Sequence, residues 1–407
     1  MRQWFDRLSA RHILLLCIGS AVARLVYVLV VAPPIPTAED YAIAQHLARG
    51  EGFCIYDRGP TSIKGPIYPA YLAFWLWGVG DPAGLRWAVA VQHLVLAAVP
   101  WVLWRLGVRL GQQGLGVGAA LLFAGHPSYF YHATVAENTA WVVAVGALWC
   151  LLVAKHESWR WWRGFAVGVV VGVFALEKPP LVVPLLVAVA IARRSWWRDL
   201  LPVALGIALV IGSWAVRGYL VFGEPMLTRS YSGYLTFIHS WLPSMAIAPR
   251  YSVPDTVERE LAQLAHVPES SALPRLRELA RGILAEKWHL LPERTALHAL
   301  VYWTIPPRYW GNWSAAFVVG RVLPVAVLLV LSVVGSRVLW RRDRRLLVAI
   351  VGVLVWTTLF YSFYHVLNIR YKLEVEWLQL FVCAAALCRV ENRGEANFAR
   401  SSSTCPL

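Results

Sequence analysis

The sequence predicts an all-α, polytopic membrane protein with about ten transmembrane helices and two long outer-face loops containing juxtamembrane helices. Three observations predict it. Of the 407 residues, 58% are hydrophobic and 15% charged, against about 45–50% and about 25% in soluble domains. Apolar stretches near the roughly 20 residues needed to cross a bilayer recur along the chain. The net charge of +15 sits in short segments at the ends of those stretches, where membrane topology puts it. No basic segment interleaves with aromatics elsewhere, which points to membrane lipids as partners and away from nucleic acid. Six cysteines in so long a chain exclude a disulfide scaffold.

The first stretch, Ile13–Ala32, follows Arg2, Arg7 and Arg11. It exceeds the roughly 7–15 residues of a secretion-signal core and reads as an uncleaved first helix with a cytoplasmic N-terminus. Further spans are predicted at Leu85–Trp104, Leu115–Tyr131, Ala133–Val153, Gly164–Leu176, Leu181–Ala192 and Leu200–Val216, then at Val322–Leu339, Leu346–His365 and Val375–Leu387. Pro66–Gly80 is apolar but short, and reads as a membrane-surface helix. Alternation then puts Arg105/Arg109, Lys155–Arg163, Arg193–Arg198, Arg337–Arg345 and the tail from Arg389 inside, as the positive-inside rule requires. Both termini are therefore cytoplasmic. Trp159, Trp161, Trp162, Trp196 and Trp197 lie beside those arginines, where an aromatic belt belongs. Cys17, Cys150 and Cys383 fall in spans, Cys388 and Cys405 at the cytoplasmic end, and Cys54 alone outside; no disulfide is predicted.

Two outer segments are too long to be connectors. The first runs from Pro33 to about Gly84. Thr37 and Asp40 have capping-box spacing, and Gly50 is a helix stop. Asp40 is thus either a helix cap or a general base at the membrane surface. Glu39 adjoins it about 100° away on a helix, so only one of the two is expected to reach a reacting centre. Lys64, Arg217, Arg370 and Lys372 lie on the outer face against the general charge bias. They either meet an anion such as a lipid phosphate or snorkel to headgroups. The second segment, from Arg217 to about Arg321, contains Asp255–His266 and Leu273–Leu290. Leu276, Leu279, Ile283 and Leu284 alternate there with Arg275, Arg277 and Arg281, as in a solvated or interfacial helix pair.

Arg24 and Glu137 are intramembrane charges, open to a functional or a paired structural role. Glu177-Lys178 before Pro179-Pro180 reads as a local ion pair at a helix break. His126 and His132 read as interfacial histidines rather than metal ligands. Zinc spacing, a phosphate loop, a dinucleotide fingerprint and a nucleophile elbow are all missing. So is an internal repeat, which weakens a transporter reading.

Five pieces in order then resemble the membrane-embedded GT-C glycosyltransferases. The nearest branch is the bacterial one containing the aminoarabinose and galacturonic acid transferases of lipid A and the protein O-mannosyltransferases. Glu39-Asp40-Tyr41 with Ala44, Leu47, Gly50, Gly52 and Phe53 resembles the family's first-loop pattern. Lys64-Gly65-Pro66-Ile67-Tyr68-Pro69 resembles its lysine-proline-tyrosine turn, and His126-Pro127 with Glu137 its proline and glutamate pair. Trp214-Ala215-Val216-Arg217 with Val221-Phe222-Gly223 and Gly233 is similar to a third segment, and His365 with Arg370-Tyr371 to a late motif. The chain departs from the pattern where Thr37 stands four residues before Tyr41, where Gly218 follows Arg217, and around Glu374 and Glu376.

The resemblance implies inverting transfer of a sugar from a polyprenyl-phosphate donor to a lipid or surface-glycan acceptor at the periplasmic face of a bacterial inner membrane. It implies Asp40 as the base with Glu39 as the alternative. Lys64 and Arg370, then Arg217 and Lys372, would hold the donor phosphate. Tyr41, Tyr68, Glu137 and His365 are further site candidates. No metal or other cofactor is expected. Residues 1–321 would form the catalytic module, 322–390 the C-terminal helices and 391–407 a cytoplasmic tail. The alternatives are an O-antigen ligase or polymerase, and a transporter or flippase of lipid-linked sugars.

Overall fold

The computed structural model describes residues 8–153, 161–192, 196–224, 230–304, 314–364 and 368–388. His365, residues 154–160 and 193–195 of the basic loops, and the tail from Arg389 lie outside them. The described chain is helical apart from one pair of two-residue strands. Five helical stretches are long and apolar enough to cross a membrane: Ala10–Val31, Ala83–Arg109, Leu201–Phe222, Val318–Arg342 and Arg344–Tyr364. Four of them carry Leu29, Val30, Leu220, Val330 and Val348 on their exposed faces, a surface suited to lipid rather than water.

Helix α1 (Ala10–Val26) runs on through a π turn, Tyr27–Val31. Helices α2 (Ala38–Ala48) and α3 (Ile67–Val79) belong to the first segment expected on the outer face. The central helix α4 (Ala83–Arg109) contacts α1, α3, α5 (Gln113–Ala124) and α7 (Thr139–Val153). The stretch Leu115–Tyr131 is not one span. Gly125 and His126 end α5, and Pro127 starts the short α6 (Pro127–Thr134), since a proline at the first helical position gives up only an N–H that had no partner. Pro179 and Pro180 likewise end α8 (Trp161–Glu177), and a 3-10 turn leads into α9 (Val182–Ala192). Helix α10 (Trp196–Phe222) lies along α8. A Cβ on Gly168 would stand 2.0 Å from the Val203 carbonyl oxygen, and one on Gly206 2.3 Å from that of Phe165. Small residues on both helices let the backbones touch.

The second segment expected on the outer face folds as α11 (Ser230–His239), α12 (Asp255–Leu264), α13 (Glu269–Lys287) and α14 (Leu291–Tyr302). The expected solvated helix pair is instead part of a packed cap. Leu276 and Ile283 of α13 share a core with Ile43, Ile55, Trp241 and Tyr251, while Leu284 alone of the expected stripe points out. Arg294 is buried over the Trp241 ring at 4.3 Å and donates to the Ser240 carbonyl at 2.8 Å. Burial, reinforced by Arg294, pushes His298 beside it down to about 3, so its ring stays neutral.

After Ala315–Phe317 and a second π turn come α15 (Leu323–Arg342), α16 (Arg344–Tyr364) and α17 (Ile369–Leu387). Helix α17 begins at Ile369 rather than at Val375, capped by the Asn368 side chain, which accepts from the Arg370 N–H at 3.2 Å. Arg370, Lys372, Glu374 and Glu376 are therefore helical. The helix packs against α5, α7, α15 and α16.

Candidate active site

The first outer segment is tied down at three places, and each sets part of one cavity. Strands β1 (Ile35–Pro36) and β2 (Val135–Ala136) pair in parallel, and the Thr37 hydroxyl donates to the Ala136 carbonyl at 2.7 Å. Thr37 is thereby spent and makes no side-chain cap. The capping box expected with Asp40 does not form, and α2 starts beside Glu137. Second, Glu269 at the start of α13 accepts from the Ser62 N–H at 2.8 Å, the Ser62 hydroxyl at 2.9 Å and the Thr61 hydroxyl. This clamp fixes the backbone two residues before Lys64. Burial pushes the Glu269 carboxyl up, opposed by those donors and by Arg217. Third, Glu177 accepts from the Ile67 N–H at 2.9 Å and from the Asn138 amide at 3.0 Å. Gly65 is needed there, because a Cβ would stand 2.2 Å from Glu177 Oε1.

The cavity so enclosed has a volume of about 290 Å³; its carboxylates are Glu39, Asp40, Glu137 and Glu177, and its cations Lys64, Lys178 and Arg370. Lys64 Nζ lies 2.6 Å from Glu39 and 3.4 Å from Asp40. Both carboxylates thus line the cavity, and the long lysine stem bridges the angle between them. Asp40 is buried and Glu39 half open. Arg370 donates to Glu137 at 2.8 Å and to the Tyr371 hydroxyl at 2.9 Å. Its Nε has no partner among the described residues. Glu177 and Lys178 do not pair with each other. The proline break turns Lys178 towards Glu374 of α17, where it also lies 5.2 Å over the Tyr371 ring, and leaves Glu177 to α3. Tyr371 stacks on Tyr361 with ring centres 4.5 Å apart.

Asp40, Glu39, Lys64, Glu137 and Arg370 therefore meet in one place, with walls from both sides of residue 321. The other sequence candidates lie elsewhere. Tyr41 donates to Asp81, and burial with that carboxylate pushes its hydroxyl up to about 12. Tyr68 is buried and donates to Gln92. Lys372 points to the far side of α17 from Arg370, two residues being about 200° apart on a helix. It pairs with Glu376 at 2.8 Å, whose other oxygen is 3.6 Å from His126 Nε2. Arg24 ties α1 to α6 by donating to the Tyr129 carbonyl at 3.1 Å and lying 4.2 Å over Phe130. His365 lies outside the described residues.

Arg217 is stacked on Trp214 at 4.6 Å and Phe53 at 5.1 Å, and donates to the Phe53 carbonyl at 3.3 Å. Arg217→Ala should therefore cost about 1 kcal/mol of stability, read as a lower Tm in detergent; an unchanged Tm would show that the stacking contributes nothing to the fold.

Sequence reasoning missed Asn138, His239 and Tyr361, and named Tyr371 only within the late Arg370-Tyr371 motif. Glu177 and Lys178 did carry a signal, as charges within apolar sequence. Tyr361 and Asn138 carried none, since nothing in their local pattern separates a lining residue from a packed one.

An apolar groove of about 200 Å³ abuts the cavity; Asn138 and Glu177 line both, and Tyr68, Tyr71, Trp141 and Phe174 line the groove. Among the described residues no three His, Cys, Asp or Glu side chains converge as a metal site requires. No protein-family profile matches the chain, and no curated protein matches it.

Proposed function

We propose that the chain is a GT-C-type inverting glycosyltransferase that moves a sugar from a polyprenyl-phosphate donor to an acceptor hydroxyl at the outer membrane face. The observation that carries this is the charged cavity abutting an apolar groove, a pairing suited to a ligand with an anionic head and a hydrocarbon tail. In this reading the isoprenoid lies in the groove and the phosphate meets Lys64 and Arg370. The acceptor oxygen attacks C1 from the face opposite the phosphate, and its proton passes to a carboxylate of the Glu39–Asp40 pair. The electron pair of the breaking C1–O bond leaves on the phosphate, where Lys64 and Arg370 stabilise the added charge. Both cations already hold carboxylates, so the phosphate shares them rather than filling a vacant site.

The same reading takes the chain as ten spans with cytoplasmic termini, the shorter helices α5, α7, α8, α9 and α17 being crossings completed by the turns beside them. The test supplies the purified protein in vesicles with labelled undecaprenyl-phosphate sugars. Release of undecaprenyl phosphate with the label on a new product supports transfer, and Lys64→Met and Arg370→Gln should each raise donor KM. Label crossing the vesicle on an unchanged donor would make the protein a transporter. Use of lipid diphosphate donors alone would make it a ligase or polymerase.

A further inference from the structure

A second cavity, of about 390 Å³, lies in the cap and meets the charged one at Glu39, Ile63, Leu235 and His239, which line both. Its lining comes from α2, the 55–63 segment, the α11–α12 region and α13, with no residue from the five membrane-length helices. None of its lining residues also lines the apolar groove. The lining is leucine-rich with a few polar groups, among them Tyr56, Arg58, Tyr231 and Glu258.

Two details mark it as more than a packing gap. Tyr56 has φ 47°, the one positive φ outside glycine among the described residues, and a bulky residue is held there only when its surroundings insist. The Tyr56 ring lines the cavity, with Arg58 5.6 Å over it. His239 is lowered by burial, opposed by the charges of Glu39 and Glu258, and Glu39 and His239 both line the junction of the two cavities. An aromatic and aliphatic wall edged by a few charged groups suits a sugar ring, which has apolar C–H faces and a rim of hydroxyls.

We infer that the cap cavity is the acceptor site, that it takes a sugar ring of a water-exposed glycan rather than a lipid, and that Glu39, on the wall common to both cavities, is the base. This rests on the transferase reading above. The acceptor hydroxyl gives its proton to the Glu39 carboxylate, its oxygen forms the new bond to C1, and the C1–O bond to the phosphate breaks with its electrons. Asp40, deeper in the charged cavity, holds Lys64 towards the donor.

The experiment uses the full-length protein in vesicles with a labelled undecaprenyl-phosphate sugar and two acceptor probes. One is the oligosaccharide released from host-membrane glycolipids by mild acid; the other is the intact glycolipid. Ala265→Trp and Ala262→Trp fill the cavity, from a half-buried and an exposed wall position respectively. The released oligosaccharide should accept the sugar. Both variants should lose at least about tenfold of that transfer, as a blocked pocket does, through a raised acceptor KM at the wild-type Tm. Transfer to the intact glycolipid alone would overturn the inference, as would unaltered transfer in both variants or a loss confined to kcat. If the wild type frees undecaprenyl phosphate from no donor, with either acceptor or water, the transferase reading itself falls.

Discussion

Glu39→Gln should lower the transfer rate at saturating donor by about 10²–10⁴, the usual worth of a positioned general base. The argument is positional. Glu39 lines both the charged cavity and the cap cavity, whereas Asp40 lines only the first. Gln keeps the size of the side chain and can still accept a hydrogen bond from Lys64, so the loop should remain in place. Asp40→Asn should act mainly on donor KM, because it removes one of the two carboxylates that hold Lys64. Steady-state kinetics on both variants at equal protein level separates the roles. A collapse of kcat in Asp40→Asn with Glu39→Gln near wild type would make Asp40 the base.

Lys372→Met should destabilise the fold by about 3–5 kcal/mol, the cost of stripping one partner from a buried ion pair. Lys372 and Glu376 are 2% and 1% exposed, one helical turn apart. Without the lysine, Glu376 keeps only His126 Nε2, at 3.6 Å, within ion-pair distance among the described residues, a contact too long to replace it. The double variant Lys372→Met/Glu376→Leu should recover most of the loss, since both charges then leave the interior together. Thermal unfolding in detergent reads both. A single variant with wild-type Tm but weakened donor affinity would show instead that Lys372 faces the donor.

The residues around Asp40 show how far a sequence carries. Helix α2, its acidic start and the lysine that follows were legible because charges and glycines act locally, whereas the Thr37 cap was not, its hydroxyl going to the Ala136 carbonyl. Glu39, Asp40, Lys64, Glu137 and Arg370, far apart in the chain, meet in one cavity. What could not be read was which groups face each other. Glu177 and Lys178 are neighbours in sequence and have different partners. Arg370 and Lys372 are two residues apart and lie on opposite sides of one helix. Arg217, a cation beside the membrane like Lys64, is spent on aromatic rings.

Apolar length is a sum over many residues, insensitive to any single contact, so the sequence by itself determined a helical chain with stretches able to cross a membrane. Partners across the fold depend on where helices break and how they rotate. Those quantities were decided by tertiary structure: the proline breaks after α5 and α8, the Glu269 clamp on Ser62, and the early start of α17. A side chain's role there is set by a rotation of about 100° per residue, and only packing chooses that rotation.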